Sequence, residues 1–481
     1  MLSPSALAQS ASSTHRRSAL AKLFALVRFL LTAKSTNAVR ARCLLLLGAT
    51  SATGFSVLLN YVARGFCRTP LEVAHLLLHV GATVVKTVAQ YIARGFRPLY
   101  PNWTFSFEVL RAAMRTATEL YGHRIVDELH AKHIRRMSEV YGTSLGWFYA
   151  KIHKTRVEPV HAMGLEHVWI KSASSSSSES VSPENRFVVL YYHGGGYAIP
   201  EHPFPIPAED AVAMYEHVVE HYNIPPERII VAGDSAGGGL TMSTLLRLRD
   251  AKPHLMPLAA MLCCPSADLS EVDDFKPPPH CVLSMPMVDA CRFKYHTTTS
   301  DRSTWLDASP VHCDLNGLAP VFLQTATLDY LYLHSQRLME KAKADGVQNW
   351  EVDVQRDVPH VFTVFPTPLL PHAMVGIQNM ARFAAKHIHE AVIAGTTTKK
   401  KTSEENDEGL KTIDELKASG AVYHADRRAN VNGRERAGVA VVEDVGALLD
   451  DLGAELAQTA VDVYVFLRER LCRFKRVAHE L

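Results

Sequence analysis

Three side chains far apart along the chain could together make an alcohol nucleophilic. They are Ser235 in Gly233-Asp234-Ser235-Ala236-Gly237, an aspartate at 329 and a histidine at 360. A serine hydroxyl is a weak nucleophile until an imidazole takes its proton, and the imidazole needs a carboxylate to fix its tautomer and offset its charge. Glycines on both sides of the serine suit a tight strand-to-helix turn, where a Cβ would collide with the adjoining strand or helix. Such a pentapeptide by itself also closes ordinary βα turns. A second group, His193-Gly194-Gly195-Gly196, gives it weight, because consecutive glycines expose backbone N–H groups with nothing to block a developing negative charge. The expected oxyanion donors are Gly194, Gly195 and Ala236, the last at the start of a helix whose first amides have no partner within it.

The elements that must position these groups are legible around them. Phe187–Tyr192 is an apolar strand running into His193, and Arg228–Ala232 is a second strand that enters the serine turn. Pro320–Asp329 is a strand ending in an acid, and Trp350–Val354 alternates apolar and polar residues before Asp357-Val358-Pro359-His360. Polar groups just past the C-terminal ends of strands lie where open α/β sheets bind ligands, and the order serine, acid, histidine is one such a sheet uses. Asp353 and Asp357 compete with Asp329 for the acid, but both sit on or after the last strand, beside the histidine. His193 suits holding the glycine loop better than acting as base. Ala208–Tyr222 is an amphipathic crossover with Val212, Tyr215, Val219 and Tyr222 on one face. Val157–Lys171 supplies one or two short strands, and Trp103–Tyr141 has helical spacing with Phe107, Leu110, Met114 and Leu120 on one side.

The motifs HGGGY at 193–197, PEHPFP at 200–205, GDSAGGGL at 233–240 and Ser309-Pro310 resemble those of the hormone-sensitive lipase family of α/β-hydrolases, over roughly residues 98 to 395. The resemblance implies an α/β fold with a mostly parallel sheet flanked by helices, and a helical cap over the site. It also places the triad at Ser235, Asp329 and His360. The expected activity is serine carboxylester hydrolysis of acyl or acetyl esters of a lipophilic alcohol, with no cofactor and no metal. The alternative is a catalytically impaired hydrolase-fold binding protein or membrane scaffold. That alternative arises because the family separates HGGG from PEHPFP by a further helix and strand, whereas here only Tyr197, Ala198 and Ile199 intervene. Losing a buried strand would leave the Phe187–Tyr192 strand with an unpaired edge or force it to re-pair. An omission in the gene reading would leave the same junction.

Composition frames the rest. The chain has 481 residues, 47% of them hydrophobic, with 51 basic against 49 acidic residues, so no global field argues for nucleic acid. Eight scattered cysteines form neither a C-x-x-C pair nor a zinc-ligand spacing. Met1–Leu71 contains no acid but nine basic residues, among them Arg28, Arg40, Arg64 and Arg68. Cys43–Ala63 is uncharged and, at about 1.5 Å per residue, long enough for the roughly 30 Å core of a bilayer. Leu71–Ala93 is a second apolar run, interrupted by Glu72 and Lys86. The expectation is a single-pass anchor in the endoplasmic reticulum with a cytosolic N-terminus, with a mitochondrial transit segment as the alternative. The alternative for the two runs themselves is a pair of amphipathic helices. Residues 1–97 form this basic region, 98–395 the hydrolase domain, and 396–481 a polar linker with a helical extension whose partner the sequence does not name.

Overall fold

The structure is a computed structural model that describes residues 63–134, 136–137, 155–162, 165–172, 187–197, 202–270, 278–298 and 300–404. The chain divides into two units, Met1–Arg64 and Gly65–Leu481, and the second carries all that follows. The run 43–62, the Ala198–Glu201 junction, most of the serine-rich loop and residues 405–481 lie outside the described residues.

Helix α1, Pro70–Ala93, begins with a capping box in which Thr69 and Glu72 satisfy each other's backbone amides. It is long and apolar enough to cross a membrane, with a mean hydropathy of 1.4 over its best 18-residue window, of which 11% is buried. Helix α2, Phe105–Tyr121, is capped by Thr104 and packs along α1. Of the expected face, Phe107 is buried and Met114 packs against the same cluster, while Leu110 is 37% exposed. Arg111 and Thr118 are buried as well, the Arg111 guanidinium 5.4 Å from the centre of the Trp103 ring.

Strands β1, Thr155–Ala162, and β2, Leu165–Ser172, form an antiparallel hairpin of their own. The main sheet is parallel and five-stranded, in the order β3 (Val188–Tyr192), β4 (Ile229–Asp234), β5 (Ala259–Cys263), β6 (Val321–Leu328) and β7 (Trp350–Pro359). Helix α3, Ile206–His221, is the crossover from β3 to β4, and buries Ala208, Ala211, Met214, Tyr215 and Val218, a stripe turned slightly from the expected one. Helix α4, Ala236–Ala251, follows β4; α5 is Met285–Tyr295, α6 is Tyr332–Ala344, and α7 is Ala373–Glu404. The last runs nine residues into the expected linker, since 396–404 contains neither Gly nor Pro to stop it.

Every residue of β4 and β5 is buried, as expected for central parallel strands covered on both faces. By contrast β3 stands at one end of the sheet and keeps only Tyr192 fully buried, with Val189 exposed. The hairpin does not pair with it. Among the described residues no strand pairs on the outer side of β3.

Candidate active site

The parallel register sets Tyr192 opposite Gly233, so the loop leaving β3 and the turn leaving β4 emerge side by side. Ser235 has φ +52° and ψ −119°, outside the helical and strand regions, which lifts its side chain out of the sheet before α4 begins. The adjoining glycines are required by contact. A Cβ on Gly237 would lie 1.9 Å from Tyr192 O, and one on Gly233 would lie 2.3 Å from Gly237 O. The turn is also pinned through its backbone: Ser235 N–H donates to Cys263 O at 2.9 Å, and Ser266 N–H donates to Ser235 O at 2.8 Å.

Three strand ends then bring the candidate side chains together. His360 Nε2 is 2.9 Å from Ser235 Oγ, and His360 Nδ1 is 2.9 Å from Asp329 Oδ2. The second carboxylate oxygen, Asp329 Oδ1, accepts the N–H of Leu331 at 2.9 Å, which fixes its plane. Asp329 is fully buried, and Ser235 and His360 are each 8% exposed, so the relay is largely shielded from water. The competing acids lie elsewhere. Asp353 accepts bonds from Gln324, Gln355 and Asn379, while the Asp357 carbonyl accepts Trp103 Nε1–H at 2.7 Å. That last bond, with Thr104 Oγ1 donating to Leu369 O, ties the start of α2 to the histidine loop.

The glycine loop differs from the sequence expectation at one position. The Gly194 N–H, expected among the oxyanion donors, donates instead to Asp234 Oδ1 at 2.8 Å. The same oxygen accepts Tyr191 Oη–H at 2.7 Å. Gly195 follows with φ +125° and Gly196 with φ +65°, conformations that turn the loop after this anchor point. His193 Nδ1 is 2.6 Å from Gly194 O and takes no part in the relay. Asp234 was not singled out in the sequence, although an acid immediately before the serine, beside a parallel strand ending in HGGG, is placed to serve both motifs.

Cys264, one of the scattered cysteines, lies beside the relay. Its Sγ accepts the Val361 N–H at 3.4 Å, and its sulfur, an Asp329 oxygen and a His360 nitrogen lie within 4.8 Å of one another. Burial, reinforced by Cys263 and Asp329, pushes this thiol's pKa well above its ordinary value. A neutral thiol beside an imidazole and a carboxylate already bonded to each other makes a brace for the histidine loop rather than a metal centre.

Parallel strands in sequence order, the crossover helices α3, α4 and α6 packed on one face with α7 on the other, and a strained serine between strand and helix define the class as α/β-hydrolase fold. Residues 198–364 match the α/β hydrolase fold family, the match beginning directly after the glycine loop. Over 251 residues the chain is 30% identical to an acetyl-hydrolase of Streptomyces hygroscopicus, covering 40% of this chain and 74% of that one. Over 152 residues it is 32% identical to an esterase of Acinetobacter venetianus, covering 31% and 49% respectively. Among solved structures, an esterase/lipase from an uncultured bacterium aligns with a TM-score of 0.41 at 26% identity, over 52% of this chain and 92% of that one. The chain belongs to the α/β-hydrolase fold-3 family, the hormone-sensitive lipase group.

Proposed function

We propose that the protein is a serine carboxylic ester hydrolase working through an acyl-enzyme. The observation that carries this reading is the continuous relay from Ser235 Oγ through His360 to Asp329, with both links at 2.9 Å. Ser235 Oγ attacks the ester carbonyl while His360 Nε2 takes its proton, and the Asp329 carboxylate offsets the imidazolium charge. Gly195 and the first amide of α4, at Ala236, donate to the tetrahedral oxyanion, while Gly194 acts through its bond to Asp234. His360 returns the proton to the departing alcohol. Water, activated by the same imidazole, then releases the acid from Ser235. The relatives named acetyl-hydrolase and esterase support this reading. No observation favours the binding-protein alternative.

The apolar α1 and the acid-free N-terminus support a membrane-apposed enzyme acting on esters of a lipophilic alcohol, with 98–395 as its hydrolase domain. A single-pass anchor at 43–63, with the enzyme on the lumenal side of the endoplasmic reticulum, agrees with the basic residues preceding that run. Ser235→Ala is expected to abolish both p-nitrophenyl acetate turnover and fluorophosphonate labelling. Labelling retained at another serine would overturn the assignment.

A further inference from the structure

The outer face of α1 exposes a row of large apolar side chains. Leu71 is 79% exposed, Leu78 70%, Val85 69% and Ile92 51%, four large apolar side chains seven positions apart. A seven-residue step falls only about 20° short of two full helical turns, so the four stay on one face of the helix over roughly 30 Å. Ala74, Gly81, Ala82 and Ala89 fill the intervals and are exposed as well. A Cβ added to Gly81 would meet nothing within 4 Å.

The polar groups around this stripe have an order of their own. His79, Lys86 and Gln90 line one edge, exposed. Glu72, the sole acid of the helix, is turned inward and bound by both terminal nitrogens of Arg124 at 2.9 Å. At the C-terminal end, Phe96 is 67% exposed and Phe105 37%, with Tyr91 between them at 6.0 and 4.4 Å, and Arg97 follows, exposed. Apolar surface bordered by aromatic rings and cations, with no outward acid, is complementary to a lipid interface bearing anionic headgroups.

The inner face decides how the helix meets that interface. Along its length it is joined to α2 and the turn after it by Glu72–Arg124, by Thr83 Oγ1 to Thr116 Oγ1 at 2.9 Å, and by Arg94–Glu108. Crossing a bilayer would drag α2, with Arg111, Arg115 and Glu119, into hydrocarbon, where each charge is costly. We infer that α1 does not cross the membrane but lies in its plane, with Leu71, Leu78, Val85, Ile92 and Phe96 immersed in the acyl boundary of an anionic lipid surface. The α2 helix, docked behind it, then holds the hydrolase domain against that surface. This deepens the membrane-apposed part of the proposed function and is independent of the ester chemistry.

The test uses the full chain reconstituted in vesicles of phosphatidylcholine and phosphatidylserine. Leu71→Cys, Leu78→Cys, Val85→Cys and Ile92→Cys, made singly, are labelled with bimane, and the signal of the unsubstituted chain is subtracted. Nitroxide lipids carrying the quencher near the headgroup or at mid-chain report depth. All four positions are expected to lose more fluorescence to the shallow quencher, in the same ratio. A ratio that changes steadily from Leu71 to Ile92 would mean a crossing helix and would overturn the inference. So would a lack of lipid quenching at all four, as when a second copy covers the face. Turnover of p-nitrophenyl acetate by each labelled protein confirms an intact fold, and its absence from the unsubstituted chain would count against the esterase reading alone.

Discussion

The carboxylate of Asp234 accepts the N–H of Gly194 at 2.8 Å, joining the residue before the nucleophile to the first glycine of the oxyanion loop. The two motifs lie forty positions apart in sequence and are brought together by the β3–β4 register. A loop held at this one amide leaves the next N–H groups to be aimed by geometry rather than by further contacts. Positioning of this kind matters because an error of about 1 Å in a reacting group costs about 10²-fold in rate.

Asp234→Ala is therefore expected to lower kcat for p-nitrophenyl acetate about a hundred-fold, with KM changed far less. Labelling by a fluorophosphonate should persist, slowed, because Ser235 and His360 remain in place. An unchanged kcat would show that the loop is held by something other than this carboxylate.

Three acids competed for the histidine, and their hydrogen bonds separate them. Asp329→Asn should hold His360 in the wrong tautomer and reduce kcat by about 10⁴, as the equivalent change does in serine proteases. Asp353→Asn should leave kcat within a few-fold of the parent, since its partners are Gln324, Gln355 and Asn379. Equal losses from the two substitutions, measured side by side, would undo the assignment of Asp329.

The strands and the order of the candidate residues could be read from the sequence because each strand combines an apolar run with a polar group at its C-terminal end. What could not be read depends on contacts that sequence spacing does not encode. Arg111 is buried with its guanidinium 5.4 Å from the centre of the Trp103 ring, on a helix where Leu110 is partly exposed. Gly194 loses its expected role to a carboxylate supplied by the neighbouring strand. The apolar run 71–93 resembled a span by composition, and only its inner face, bonded to α2, distinguishes a docked helix from a crossing one. The place of β3 at one end of the described sheet agrees with a count of residues between two motifs, not with any feature of side-chain packing.

Gly237→Ala tests the steric basis of the nucleophile turn. The added methyl would sit 1.9 Å from Tyr192 O, a backbone atom that can retreat only if β3 moves. Overpacking of this kind costs about 1–3 kcal/mol. The variant is expected to melt several degrees lower and to lose most turnover, whereas Gly346→Ala, where a Cβ meets nothing within 4 Å but φ is +75°, should melt lower with kcat retained. Parent-like turnover by Gly237→Ala would mean that the turn tolerates a Cβ after all.

The loop that supports the Ser235 carbonyl is itself held by a buried carboxylate, and this gives a stability prediction with a defined pH sense. Asp268 is 3% exposed, bound by Arg337, with Ser270 N–H donating to it at 2.9 Å. Burial alone would raise its pKa, but His334 when protonated, the two bonds from Ser270 and the Arg337 guanidinium outweigh that and leave it below the usual carboxylate range. A folded-state pKa below the unfolded value of about 3.9 means that the ionised form stabilises the fold above that pH. The contribution is lost as pH falls through the lowered folded value. Arg337→Ala strands the buried charge and should cost about 3 kcal/mol at pH 7, read from the urea midpoint. The deficit should narrow as pH is lowered below about 4, because the parent then loses what the variant already lacks. A deficit that stayed constant from neutral to acid pH would show that Arg337 supports the loop by packing rather than by charge.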